Sequence, residues 1–258
     1  MSEPSSEGAA PVARPKLAGL PEIDTHEYGG KKDGVRQAMD ERLFMQLLVF
    51  DVAQDVHPDG LAERLSHALT KSVQGHVVYA DANSPRALGL LTWSAEPADF
   101  VTKVRPAVLA EAALVQRPEF TMIGRTYSIG HEPDLEHVLL KRPVEYTTNA
   151  SWPWHVWYPL RRTGSFAKLT PEEQSTILRE HASIGFAYGQ KELAHDVRLA
   201  CHGLDAADNE FVIGLVGPTL HPLSHLVQTM RKTRQTSEFI AKMGPFFVGR
   251  VLHSWSAP

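Results

Sequence analysis

The chain of 258 residues has one cysteine, Cys201. A lone thiol rules out an intrachain disulfide and any tetrathiolate zinc or iron–sulfur centre, and it fits a reducing, cytoplasmic setting. No apolar run is long enough to span a bilayer, and the opening Met-Ser-Glu-Pro-Ser-Ser-Glu-Gly has neither the basic nor the apolar region of a secretory leader. Cations are not in excess. A formal net charge of −4 and a pI near 6.3 give no general attraction for nucleic acid or anionic lipid, so neither nucleic acid nor membrane is expected as a partner. Also missing are Gly-x-Ser-x-Gly, a Walker loop, His-Glu-x-x-His and Gly-x-Gly-x-x-Gly, the short signatures of the common hydrolase, nucleotide and zinc sites.

What is present is a composition 43% hydrophobic, enough for a large core in one domain or two fused ones. Residues 1–40, rich in Pro, Gly, Ser and charge without a sustained period, read as a flexible N-terminal arm. Beyond it the periodicity predicts a strand at 42–51, a helix over 58–73, strands at 76–79 and 87–93, a helix over 97–114 and a strand at 120–128. After a linker with a short helix at 134–140 the order recurs. A strand at 154–160 leads to a helix with Thr170 as N-cap and Pro171 in its first turn. Strands at 196–201 and 210–216, a helix over about 222–241 and a strand at 245–252 follow. The fold class is therefore α+β, with two ferredoxin-like β-α-β-β-α-β halves at 41–150 and 151–258 whose antiparallel sheets join as in a dimeric α+β barrel.

The second half holds the chemically suggestive residues. His181 shares a helix face with Ile177, Leu178 and Ile184 and so points inward. By spacing alone it is a hydrogen-bonded core residue or a metal ligand, the former being the commoner case. Trp152, Trp154, Trp157 and Tyr158 make one strand unusually aromatic, and alternation puts Trp154 and Tyr158 on one face with Trp157 on the other. Such a strand is a packed core element or a ligand wall. Arg161, Arg162 and Arg231 offer paired donors to carboxylates, or are solvated charges.

The order of these residues resembles the haem-binding half of the chlorite dismutase family. Tyr158-Pro159-Leu160 resembles its Tyr-Pro-Met strand end, Glu180-His181-Ala182 with Gly185 and Tyr188 its Glu-His-Gly-like helix, and Met230-Arg231 its Met-Arg. Gly244-Pro-Phe-Phe-Val-Gly-Arg250 resembles its closing strand. The resemblance implies haem, as iron protoporphyrin or coproheme, with His181 on the metal. Tyr158 would be a redox-active phenol as in the coproheme decarboxylase branch, and Arg162, Arg231 and Trp154 would contact the porphyrin. A small oxidant or anion would be the co-reactant, and a homo-oligomer, a ring or pentamer, the assembly.

The sequence departs from the family pattern at several points. Leu160 replaces the Met, and Arg162 stands where decarboxylases have Lys. The Glu that supports the proximal His in chlorite dismutases aligns with Ser237, beside Glu238. Thr163-Gly-Ser-Phe-Ala167 stands where those enzymes carry Trp. The distal strand reads His195-Asp196-Val197-Arg198. Arg198 is either a cation steering an anion over the iron or half of a structural pair with Asp196, and His195, on the other face, is an alternative second axial ligand. Three readings follow: peroxide-dependent coproheme decarboxylation, chlorite decomposition disfavoured by the missing Glu and Trp, and porphyrin binding without turnover or loss of haem altogether.

Overall fold

The structure, a computed structural model, describes residues 19–70 and 72–257. It begins with an antiparallel hairpin of β1 (Glu27–Lys32) and β2 (Val35–Met39). This corrects the expectation of a flexible arm over residues 1–40, of which 1–18 lie outside the described residues. Asp33 and Gly34 both have positive φ, 53° and 82°, the geometry of a tight hairpin turn. The Glu27 carboxylate then anchors the hairpin, accepting from Arg125 at 2.7 Å and from the Ser128 backbone N–H at 2.9 Å. Those partners lie a hundred residues away, so composition alone cannot reveal them.

The first half contains β3 (Phe44–Val52), α1 (Pro58–Leu69), β4 (Gly75–Asp81) and β5 (Ala87–Ser94). A π-helical turn at Phe100–Val104 continues into α2 (Arg105–Leu109), followed by β6 (Leu114–Gln116) and β7 (Met122–Thr126). A second π-turn at His137–Lys141 leads through α3 (Arg142–Thr148) to β8 (Trp154–Arg162). The other half continues with α4 (Pro171–Gln190), β9 (His195–Ala200), β10 (Phe211–Gly217), α5 (Leu220–Met230), α6 (Arg234–Phe239), β11 (Ile240–Met243) and β12 (Phe247–Ser256).

Within the halves the strands lie in the orders β7-β3-β5-β4 and β12-β8-β10-β9, the split-βαβ arrangement. The halves meet edge to edge, β4 with β12 and β7 with β9, all antiparallel, so the sheet closes into a barrel. The helix expected over 222–241 is interrupted instead. Thr233 caps a new helix, accepting the Thr236 N–H on its hydroxyl, and Ile240–Met243 leaves the helical path to pair with β8.

Alternation assigns the two faces of each strand. In β3, Met45, Leu47 and Val49 point into the barrel, where they meet Tyr79, Trp93, Trp157, Leu199 and Phe247 in one core. Bulky rings fit because glycine faces them. A Cβ on Gly214 would come within 2.5 Å of the Trp157 ring, and one on Gly89 within 2.4 Å of Phe247. The barrel interior is therefore side-chain filled, and any ligand must bind outside it.

Outside, the two halves differ. The 12-residue α1 buries Leu61, Ala62, Leu65 and Leu69 against the first sheet. The 20-residue α4 buries only Ile177 completely. Its start is well determined: Thr170 accepts the Glu173 N–H at 3.3 Å while Glu173 accepts the Thr170 N–H at 2.9 Å, a complete capping box. The helix is thus built firmly at one end, while along its length Ile184 and Tyr188 pack only partly buried against the outer face of the second sheet. No helix among the described residues is long and apolar enough to cross a membrane.

Candidate functional site

The outer face of the second sheet carries the candidate residues. On β8, Val156, Tyr158 and Leu160 join one cluster with Leu215 of β10 and Leu223 and Leu226 of α5, and Trp154 packs against it. Trp157 points the opposite way, into the barrel. Tyr158 is buried and stacks on Phe246, ring centroids 4.5 Å apart. Burial pushes its phenol far above the ordinary range. The Asp196 charge adds to this shift and the Arg231 charge opposes it.

His181 faces the same sheet from α4. Its Nδ1 is buried with no hydrogen-bond partner. Burial holds its pKa below the ordinary value, Asp196 and Glu180 pulling upward and Arg198 downward. A neutral imidazole is the form that ligates a metal. No three His, Cys, Asp or Glu residues gather into a metal cage among the described residues. A metal held by His181 would therefore take its other donors from the ligand, as iron does from the four pyrrole nitrogens of a porphyrin. The donor chemistry fits haem in this respect.

Opposite His181 on β9, Val197 and Leu199 enter the barrel, which leaves Asp196 and Arg198 on the outer face. Arg198 Nε lies 2.8 Å from Asp196 Oδ2 but outside hydrogen-bond alignment, so the guanidinium is charge-paired without being locked. His195 is directed elsewhere. Its ring stacks on Trp152 at 4.0 Å and meets Tyr146 edge-on, with Nε2 3.1 Å from Glu192 Oε2.

The cations divide. Arg231 and Lys232 rim a cleft of about 690 Å³ whose apolar wall includes Val156, Leu223, Val227, Phe246 and Val248. Phe246 thus separates this cleft from Tyr158. Arg162 is not on its wall. Its Nε is 3.3 Å from Glu210 Oε2, and its guanidinium lies 4.7 Å from each of the Phe166 and Phe211 ring centres. The structure therefore brings His181, Arg198 and Tyr158 to one face, sets Arg231 on the rim of the neighbouring cleft and leaves Arg162 already engaged.

Two participants went unread in the sequence. Tyr127, just past β7, feels the charges of Arg198, Asp196 and Arg162, and burial pushes its phenol up. Glu132 accepts three successive backbone N–H bonds, from Ile129, Gly130 and His131, and its charge acts on Arg198. Both come from the first half, and the β7–β9 junction is what delivers them. Neither Ser237 nor Glu238 supports His181. The Ser237 hydroxyl donates to the Thr233 carbonyl at 2.9 Å, and Glu238 pairs with Arg234 at 2.9 Å.

Comparison with known structures agrees with this architecture. A putative chlorite dismutase superposes with a TM-score of 0.68 at 15% identity, over 83% of this chain and 96% of that one. A novel heme-binding protein from Thermus thermophilus gives 0.65 at 17% identity, over 83% and 92%. A mutant of chlorite dismutase from Candidatus Nitrospira defluvii gives 0.63 at 14%, over 83% and 93%. No curated protein sequence matches significantly. The family model for chlorite dismutase matches residues 104–252, more than half of the 258. Fold and sequence model converge: the chain belongs to the chlorite dismutase family.

Proposed function

We propose that this protein binds an iron porphyrin through His181 and carries out peroxide-dependent chemistry of the coproheme decarboxylase type, in which the porphyrin is the substrate. The observation that carries the reading is the half-buried imidazole of His181 on α4, whose buried Nδ1 has no hydrogen-bond partner and whose pKa is lowered by burial, on a long helix with a single fully buried residue. A planar apolar ligand between α4 and β9–β10 would supply the missing packing, with His181 on one side and Arg198 on the other.

A bound haem would supply iron-centred oxidising power from peroxide. Tyr158 is suited to pass an electron because its buried phenol stays protonated, so loss of the electron is coupled to loss of the phenolic proton. Phe246 holds the ring by stacking. Arg231 would orient a propionate from the neighbouring cleft, and Trp154 would give the porphyrin an aromatic edge contact. Arg162 would have to give up Glu210 to reach a carboxylate. The single buried thiol suits a reducing cytoplasm, and the exposed Leu178 and Phe186 on α4, 40% and 70% accessible, suit a homo-oligomer.

The position of Arg198, whose charge acts on His181, favours a second reading in which an anion such as chlorite is drawn over the iron. Optical titration with haem and with coproheme tests both. A saturable Soret band is expected for wild type, with specific binding lost in His181→Ala while the far-ultraviolet circular dichroism is kept. An unchanged high-spin spectrum in that variant would remove His181 from the iron, and an unfolded variant would return it to the core.

A further inference from the structure

The helices beside the proposed ligand carry an unmatched pair of polar atoms. Ile177 of α4 shares a buried cluster with Phe239 of α6. Three residues further along α4, Glu180 Oε2 accepts the Arg234 backbone N–H at 3.0 Å, at the start of α6. These contacts fix direction. The two helices run antiparallel, and one turn along each from the cluster that holds Ile177 and Phe239 leads to His181 on α4 and to Gln235 on α6, level with one another. At that level both residues hold a buried polar atom without a partner, Nδ1 of His181 and Oε1 of Gln235. One is a nitrogen able to carry a proton and the other an acceptor, and each is costly to leave alone.

We propose that Gln235 is the positioning residue for His181, its amide oxygen accepting the His181 Nδ1–H after a small side-chain rotation. The bond fixes the tautomer whose lone pair lies on Nε2, the atom then free for a metal. Glu180 takes part indirectly by pinning the first turn of α6 to α4. The role of Nε2 rests on the haem reading above, whereas the hydrogen bond does not. A neutral amide draws the Nδ1 proton less strongly than a carboxylate, so this imidazole is a weaker electron donor than one backed by Glu.

The test has two arms. In the ligand-free full chain, histidine-labelled with nitrogen-15 and studied above neutral pH, His181 should show the Nδ1–H tautomer alone, its signals assigned by their loss in His181→Ala. Gln235→Met, close in shape but without the acceptor, should lose that preference, and Gln235→Glu should restore it. A wild-type Nε2–H tautomer, or an unchanged tautomer in Gln235→Met, overturns the proposal. If Gln235→Met fails to fold, the wild-type and Gln235→Glu spectra still decide. In the ferrous haem complex the iron–histidine stretch should move up in Gln235→Glu and down in Gln235→Met, and coincident stretches in all three would equally refute it. Failure of wild type to bind haem would defeat the family chemistry and leave the tautomer arm intact.

Discussion

Tyr158 is a phenol with no aqueous escape for a charge, acted on in opposite senses by the Asp196 carboxylate and the Arg231 guanidinium. Removing its oxygen leaves the stack on Phe246 in place. Tyr158→Phe should therefore keep coproheme affinity within several-fold and abolish peroxide-dependent loss of carbon dioxide, scored by mass spectrometry of the porphyrin. Wild-type protein that binds coproheme and yields no decarboxylated product would support a binding role without turnover. Arg198 invites a different comparison. Arg198→Leu should weaken cyanide binding to the ferric complex by at least about tenfold, the order expected for losing one partly buried charge contact. His195→Ala is the matched control because its ring is occupied by Trp152 and Glu192. Should His195→Ala instead convert a low-spin ferric spectrum to high-spin, β9 would bind in the reverse register and the open coordination site would be lost.

At the level of elements, α4 depends on its ends more than on its face. With Ile177 the one fully buried residue, loss of the capping box is not cushioned by packing. Thr170→Ala should cost about 1 kcal/mol, read from denaturant midpoints, and amide exchange should accelerate through the first turns of α4 more than in α1. Added haem should slow that exchange, and an α4 indifferent to haem would argue against a ligand beneath it. The sequence made α4 legible because Thr170, Pro171 and Glu173 are local signals that need no tertiary partner. The strands at 42–51 and 154–160 were legible for a similar reason: apolar density in the first and alternation in the second need no tertiary partner. The hairpin at 27–39 was not, since Asp33-Gly34 marks a turn only once Glu27 has found Arg125. The helix over 222–241 was overextended because apolar spacing continues through Phe239, while the break depends on the Thr233 cap and on an open strand position beside β8. Within the site, the faces of His181, Tyr158 and Arg198 followed from periodicity. Tyr127 and Glu132 were invisible because only barrel closure carries them across.

For the whole molecule, two buried histidines set an acid limit. His76 is pushed down to about 4, chiefly by burial and further by His253, and His155 to about 3 by burial against its hydrogen bond to the Trp152 carbonyl. His155 accepts from the Tyr79 hydroxyl at 2.9 Å on Nδ1 and donates from Nε2 to Trp152 at 3.1 Å, so its neutral form is part of the barrel wall. In the unfolded chain both rings titrate near 6.5. Between that value and the folded ones the unfolded state binds protons that the native state refuses. Stability should thus fall as pH drops below about 6.5, by up to about 1.4 kcal/mol per pH unit for each ring, and level off only below the folded values. Urea midpoints taken from neutral pH downward measure this, and a flat profile to about pH 4.5 would show that the rings are not buried as described.

The closure of the barrel through β4–β12 and β7–β9 also decides what can be cut away. Residues 151–257 expressed alone would present two bare strand edges, β9 and β12, each a row of unsatisfied amides and carbonyls that recruits another chain. Such a fragment should be found as a self-paired dimer or an aggregate, and not as a monomer, by light scattering. The first half is then a permanently tethered edge guard. Its helix α1 lies flush against its sheet through Leu61, Ala62, Leu65 and Leu69, and that flush packing is compatible with its duty because sealing an edge asks nothing of the outer face. The neighbouring half is left free to keep most of α4 only partly buried, and thin packing that would be a defect in a solitary domain can persist here as a place to hold something.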